Sequence, residues 1–211
     1  MLTGIFCITV STNYSDLLDL IIPKNYTFFD KWYILTDKND NATIDVINKY
    51  NNHNIEILFY DFCTNSVCFD KGGAIRSCQE KLTSDNYCGK VLLLDSDIVL
   101  PTNFLEIMSS ISVANDTIYG LNTRVDFYSY KAFMENNVDK NYELSYPCCG
   151  FFQLYFHSDN KYLYNHSYNC SECDLVFRDK FPNRILISAT AKHLGKEYIN
   201  WNGRINKNDF L

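Results

Sequence analysis

No apolar run in the sequence approaches the roughly 18 residues that a membrane-crossing helix needs, and no charged n-region precedes the apolar stretch of Met1 to Val10. That stretch has the length of a strand, so the expectation is a cytosolic protein with no membrane span. Glycine and proline are sparse, at eight and four residues of 211, and apart from the Gly72-Gly73 pair they are scattered. Nothing therefore reads as a linker, a repeat or a boundary, and residues 1–211 are expected to form one domain. A basic excess is lacking too. The formal net charge is −6, which argues against a nucleic-acid partner and leaves room for an acidic cation site.

Cysteine is plentiful, at nine residues, but the spacing of a structural zinc site is missing. Cys170 and Cys173 form a lone CxxC pair, and Cys148 and Cys149 are adjacent, without a second pair or two spaced histidines. Reduced, mostly buried thiols are the expectation in a cytosolic chain. Triplets such as Asn13-Tyr14-Ser15 and Asn25-Tyr26-Thr27 read as chance matches in an asparagine-rich sequence, not as glycan acceptors.

What is present is a globular composition, 46% hydrophobic and 16% aromatic, with alternating strand and helix patterns in the first half. Gly4 to Val10, Trp32 to Leu35, Ile55 to Phe59 and Val91 to Leu94 are strand-like runs. Between them, Leu17, Leu18, Ile21 and Ile22 mark a helix that Pro23 should stop, and Ile44, Ile47 and Tyr50 mark another. Asp70 is placed to cap a helix with Ala74, Ile75, Cys78 and Leu82 on one side. A further helix follows Pro101, on Phe104, Ile107, Met108 and Ile111. Such alternation predicts an α/β fold with a mainly parallel central sheet flanked by helices. The second half, with runs at Thr117 to Leu121, Gly150 to Phe156 and Ile185 to Ser188, is less regular.

The sharpest chemical feature is Val91-Leu92-Leu93-Leu94-Asp95-Ser96-Asp97. Two carboxylates two apart, leaving a buried strand in extended geometry, would project on one side into the crevice where α/β sheets bind ligands. Hard oxygen donors there suit Mg²⁺ or Mn²⁺ bridging to a substrate diphosphate, although the tripeptide alone is equally a polar strand end. Tyr119, Arg124, Gln153 and Trp201 are candidates for a sugar and acceptor pocket, because aromatic faces stack on sugars and amides or guanidinium groups read hydroxyls. Each is, taken singly, equally a packing or surface residue.

Phe69-Asp70-Lys71-Gly72-Gly73-Ala74-Ile75, followed by Leu94-Asp95-Ser96-Asp97-Ile98-Val99-Leu100-Pro101, resembles family 2-like glycosyltransferases of the GT-A fold. It is most similar to a small group found in bacteria and large DNA viruses, the chlorella-virus type. Tyr119-Gly120, Gly150 to Leu154, Ser171 to Phe177, His193-Leu194-Gly195 and Asn200 to Arg204 follow in the same order. The resemblance implies a GT-A (nucleotide-diphospho-sugar transferase) domain, working in a host cytoplasm if viral. Its substrates would be a nucleotide-sugar donor, a UDP-sugar by preference, and a glycan or other hydroxyl acceptor.

By that resemblance Thr9, Ser11, Thr12 and Asp37 would hold the nucleoside, with Asp37 otherwise a turn carboxylate. Lys71, Gly72, Asp95 and Ser96 would meet the donor phosphates, and His193 would join Asp95 and Asp97 as a metal ligand. Inverting transfer needs a carboxylate base for the acceptor hydroxyl. Asp174 matches the group's pattern best, with Glu172 as the rival; both otherwise suit a helix N-terminus. His193-Leu194-Gly195 also resembles retaining family 8 enzymes, but no Lys-Pro-Trp follows. Two other readings stand beside this one. A nucleotidyltransferase acting on sugar phosphates would favour a glycine-rich, basic loop after the first strand, which Val10-Ser11-Thr12-Asn13-Tyr14 lacks. A non-catalytic sugar- or protein-binding module would not need the acids at 95, 97 and 174.

Overall fold

A computed structural model describes residues 4–50, 54–63, 69–144, 150–166, 170–196, 204 and 210. Four strands, β1 (Ile5–Val10), β2 (Lys31–Thr36), β3 (Ile55–Phe59) and β4 (Gly89–Leu94), lie parallel in the order β3-β2-β1-β4. Helices α1 (Ser15–Asn25), α2 (Asn41–Asn48) and α3 (Lys71–Ser84) make the crossovers. β4 is apolar on both faces because it is covered on both. Leu92 and Leu94 pack with α1, α2 and α4 (Phe104–Ser109), while Val91 and Leu93 pack with α3 and α6 (Cys170–Arg178).

Beyond β4 the sheet turns mixed. β8 (Phe152–His157) runs antiparallel to β4 and to β6 (Thr117–Phe127). β6 then pairs in parallel with β9 (Asn183–Leu194), which closes on the two-residue β5 (Ile98–Val99). The short α5 (Tyr130–Met134) and β7 (Lys140–Glu143), the latter an addition to β6, have no counterpart in the sequence reading. Between Leu121/Ile187 and Thr123/Thr190 the register slips by one residue, a bulge in β9. Asn122 Oδ1 accepts the Ala189 N–H there at 3.0 Å, satisfying a donor that the ladder leaves over.

Two local expectations change. Pro23 does not stop α1, which runs on to Asn25. Asn25 is buried and anchors the helix end, its Nδ2 donating to Ile98 O and its Oδ1 accepting from Leu100 N. That anchorage offsets the one helical bond a proline removes. Likewise Asp95 and Asp97 do not sit on a strand: β4 ends at Leu94 and the acids occupy the turn before β5. The two-residue alternation therefore does not govern them, and their side chains diverge.

Candidate functional site

Asp70 fixes the start of α3 by accepting the Gly73 N–H at 2.8 Å. The Tyr60 hydroxyl at 2.9 Å and His166 Nδ1 at 2.7 Å meet its other oxygen. A Cβ on Gly73 would collide with all three groups, so any larger residue here would have to displace the cap and its partners. The capped helix presents Lys71 inward. Its Nζ lies 2.8 Å from Asp95 Oδ1 and 3.2 Å from Asp174 Oδ2, bridging the end of β4 to α6.

Asp174 is held on every side. Its Oδ1 lies 3.0 Å from the Tyr164 hydroxyl, which also contacts Gln153 Oε1. Gln153 Nε2 donates to the Asp174 carbonyl at 2.9 Å. Gly150 passes so close that a Cβ there would overlap the carboxylate. Lys71, Asp95, Gly150, Tyr164 and Asp174 thus wall a small pocket floored by Ile8, Val10, Ile75 and Leu93, at the carboxyl ends of β1 and β4. Burial raises the Asp95 carboxyl to about 6; Lys71 opposes this, and Asp174 and Asp97 add to it.

Asp97 faces the other way. Its Oδ2 lies 3.5 Å from His193 Nε2, brought there by the antiparallel pairing of Ile98 with His193. His193 Nδ1 lies 3.1 Å from Asp126 Oδ1, and Arg124 Nε donates to the same oxygen at 2.9 Å. Burial alone would lower the His193 pKa, but Asp97 and Asp126 outweigh it and raise it to about 9. Burial alone would raise Asp97, but His193, Arg124 and Lys71 outweigh it and lower it.

Asp97 Oδ1 is buried with no hydrogen-bond partner among the described residues. An orphaned carboxylate oxygen beside an imidazole is a donor set that suits Mg²⁺ or Mn²⁺. Among the described residues no three acidic, histidine or cysteine groups converge into a ready cage, since Asp95 is turned to Lys71. Mg²⁺-type sites need no such cage, because one or two carboxylates with water and substrate phosphates suffice.

At the ends of β1 and β2, the hydroxyls of Ser11, Thr12 and Thr36 are buried and unpartnered among the described residues. Asp37 closes a turn by accepting the Asn39 N–H at 2.7 Å, and Ser96 is buried beside the acids. Thr9 departs from its expected nucleoside role. β1 turns it to the core with Cys7, and its hydroxyl accepts from Trp32 Nε1 at 2.9 Å.

No protein-family model and no curated protein matches the chain. Solved structures do. One is a 4-diphosphocytidyl-2C-methyl-D-erythritol synthase, at a TM-score of 0.53 and 12% identity over 88% of both chains. Another is that synthase from Anaerococcus prevotii, at 0.51 and 13% over 96% of this chain and 92% of the other. A third is the glucosyl-3-phosphoglycerate synthase of Mycobacterium tuberculosis in complex with Mg²⁺ and uridine diphosphate, at 0.52 and 14% over 92% and 72%. The fold is that of the GT-A-like nucleotide-diphospho-sugar transferases.

Within this fold the remaining candidates fall unevenly. Glu172 is exposed on α6, outside the pocket walls, and Gly72 is buried in the first turn of α3. Arg124 serves Asp126 and lies over the Tyr142 and Phe151 rings at 4.8 and 5.5 Å, so it buttresses the histidine and does not line the pocket. Gln153 is fully buried and positions Asp174, which leaves it no reach to an acceptor. Tyr119 is a core residue whose hydroxyl donates to Ser112 O at 3.1 Å and accepts from Ala114 N at 3.2 Å. Trp201 lies outside the described residues. Sequence reasoning missed Tyr164 and Asp126, which carry no local motif and act through contacts 10 and 67 residues away. No described helix is long and apolar enough to cross a membrane.

Proposed function

We propose that the chain is a metal-dependent glycosyltransferase that moves a sugar from a UDP-sugar to a hydroxyl acceptor with inversion. The observation that carries this reading is the pocket in which Lys71 joins Asp95 to Asp174, with the Asp97–His193 pair facing away from it two residues along the same turn. Asp97 and His193, with Asp95 released from Lys71, would hold Mn²⁺ or Mg²⁺. Bound there, the metal supplies charge neutralisation for a departing diphosphate.

Lys71 then has two tasks. In the empty site it offsets the repulsion between Asp95 and Asp174; with donor present its ammonium is placed to meet phosphate oxygens. Asp174 takes the proton of the acceptor hydroxyl as the sugar C1 is attacked from the face opposite the leaving group. Tyr164 keeps that carboxylate from turning while Gln153 holds the Asp174 carbonyl, and the Ile8–Val10–Ile75–Leu93 floor keeps water low around it.

A part-buried carboxylate so tightly held favours this chemistry over nucleotidyl transfer, in which the attacking phosphate oxygen is already deprotonated and needs no base. The discriminating experiment offers the protein UDP-sugars or, separately, nucleoside triphosphates with sugar phosphates, each with Mn²⁺ or with chelator. Release of UDP that stops in chelator is the expected result. Pyrophosphate release from the triphosphate mixture, or UDP binding that chelator leaves unchanged, would overturn the reading.

A further inference from the structure

The loop joining β1 to α1 is pinned at three points, and one of them comes from the far end of the chain. Ser11 N–H donates to Leu35 O at 2.8 Å, and Asn13 N–H donates to Asp40 Oδ2 at 2.6 Å. The third pin is Arg204. Its guanidinium grips both oxygens of Asp16, the Nη2–Oδ2 bond measuring 2.9 Å, and its Nη1 also reaches Asn13 O at 3.4 Å. The cation lies over the Tyr14 ring at 5.2 Å. Arg204 is only 4% exposed, so this is a buried bidentate pair spanning 188 residues of sequence, where removing one partner is costly.

Asn13 takes a positive φ of 63°, a conformation the chain adopts where surrounding contacts impose it. What the pinning leaves over is informative. Among the described residues Ser11 and Thr12 keep their hydroxyls buried and unsatisfied, and Thr36 on the adjacent strand does the same. Buried donors without partners at the carboxyl ends of two parallel strands mark a place prepared for a polar ligand.

We propose that Arg204 is a positioning residue for nucleotide affinity, holding the 11–14 loop in the one conformation that presents these hydroxyls to the nucleoside of the donor. The inference rests on the nucleotide-sugar reading above. It assigns the C-terminal part of the chain a binding task that does not pass through the metal. Arg204 touches no ligand itself; it fixes in advance the loop order that a nucleotide would otherwise have to impose.

The test measures two affinities on the same variants. Calorimetry with the tightest of UDP, CDP and GDP, in Mn²⁺, is run well below the melting temperature of every variant. Mn²⁺ binding without nucleotide is measured in parallel by electron paramagnetic resonance. Arg204→Met and Asp16→Asn should each weaken nucleotide binding about tenfold or more, the equivalent of roughly 1.4 kcal/mol, with Mn²⁺ affinity unchanged. Arg204→Lys, which keeps the charge without the fork, should recover part of the loss. Met108→Ala, a core variant in α4, controls for lower stability and should bind nucleotide as the wild type does. Should Arg204→Met not fold, Asp16→Asn and Arg204→Lys decide alone. Equal nucleotide affinity in these variants and the wild type overturns the inference and spares the reading beneath it. A wild type that binds none of the three nucleotides overturns both.

Discussion

His193 carries its proton because of its company. Asp97 and Asp126 flank it, and together they outweigh both burial and the Arg124 charge, so its pKa rises from an ordinary 6.5 to about 9. A raised pKa stabilises the fold fully below the unfolded value and loses that contribution as pH climbs through the folded one. Stability of the protein in chelator should therefore decline between pH 6.5 and about 9, and urea titrations across that range check it. A metal needs the neutral imidazole, so Mn²⁺ must displace the proton. Calorimetry near pH 7 in buffers of differing ionisation enthalpy should find about one proton released per Mn²⁺ bound. No release would remove His193 from the ligand set. Asp174 lends itself to an equally direct measurement. Asp174→Asn should cut turnover roughly 10²–10⁴-fold with donor affinity nearly intact, because a base acts mainly in the transition state. Glu172→Gln should retain most activity, since Glu172 is exposed outside the pocket walls. The reverse outcome would exchange their roles, and a product with retained anomeric configuration would remove the base role from both.

Elements differ in how openly the sequence declares them. β1 to β4 are apolar on both faces, and Asp70 caps α3 with the bond its position implies, so the parallel half was readable from periodicity. β6 and β9 extend well past their apolar runs, because residues such as Arg124, Asp126 and Lys192 are strand residues by pairing and not by pattern. The same limit divides the site. Asp95, Asp97, Lys71, Asp174 and His193 belong to recognisable stretches, and the fold brings them close. Thr9, Tyr119 and Gln153 have the right chemistry on the wrong side or depth of a strand, which residue type alone does not reveal. Gly150 gives the element scale its own prediction. Its missing side chain lets the segment leading into β8 approach Asp174 on α6, so Gly150→Ala must push the Asp174 carboxylate aside. Overpacking of this kind costs about 1–3 kcal/mol of stability. The more telling effect is on rate, where a shift of about 1 Å in a catalytic group lowers turnover on the order of 10²-fold. Melting curves and kinetics on that one variant measure both.

At the scale of the whole molecule, one sheet brings together acids and cations separated by much of the chain. β1 and β4 carry the pocket floor, α3 and α6 bring Lys71 and Asp174 from opposite sequence directions, and β9 returns His193 to Asp97. A ligand that bridges these parts should stiffen them as a unit. A nucleotide diphosphate with Mn²⁺, at about a hundred times its dissociation constant, would add roughly 2.7 kcal/mol to unfolding, visible as a raised melting temperature. The bulge in β9 has a different consequence, one of arithmetic. Ile187 and Leu194 both face the same core although they stand seven apart, which strict alternation forbids. The extra residue supplies the missing half-step, so His193, and not Lys192, comes opposite Asp126. β9 therefore holds one residue of slack in one direction only. Deleting Ala189 straightens the bulge and leaves His193 facing Asp126, so Mn²⁺ binding should survive. Inserting a second alanine after Ala189 leaves no regular pairing that keeps His193 in place, and binding should be lost. This strand tolerates shortening where it does not tolerate growth.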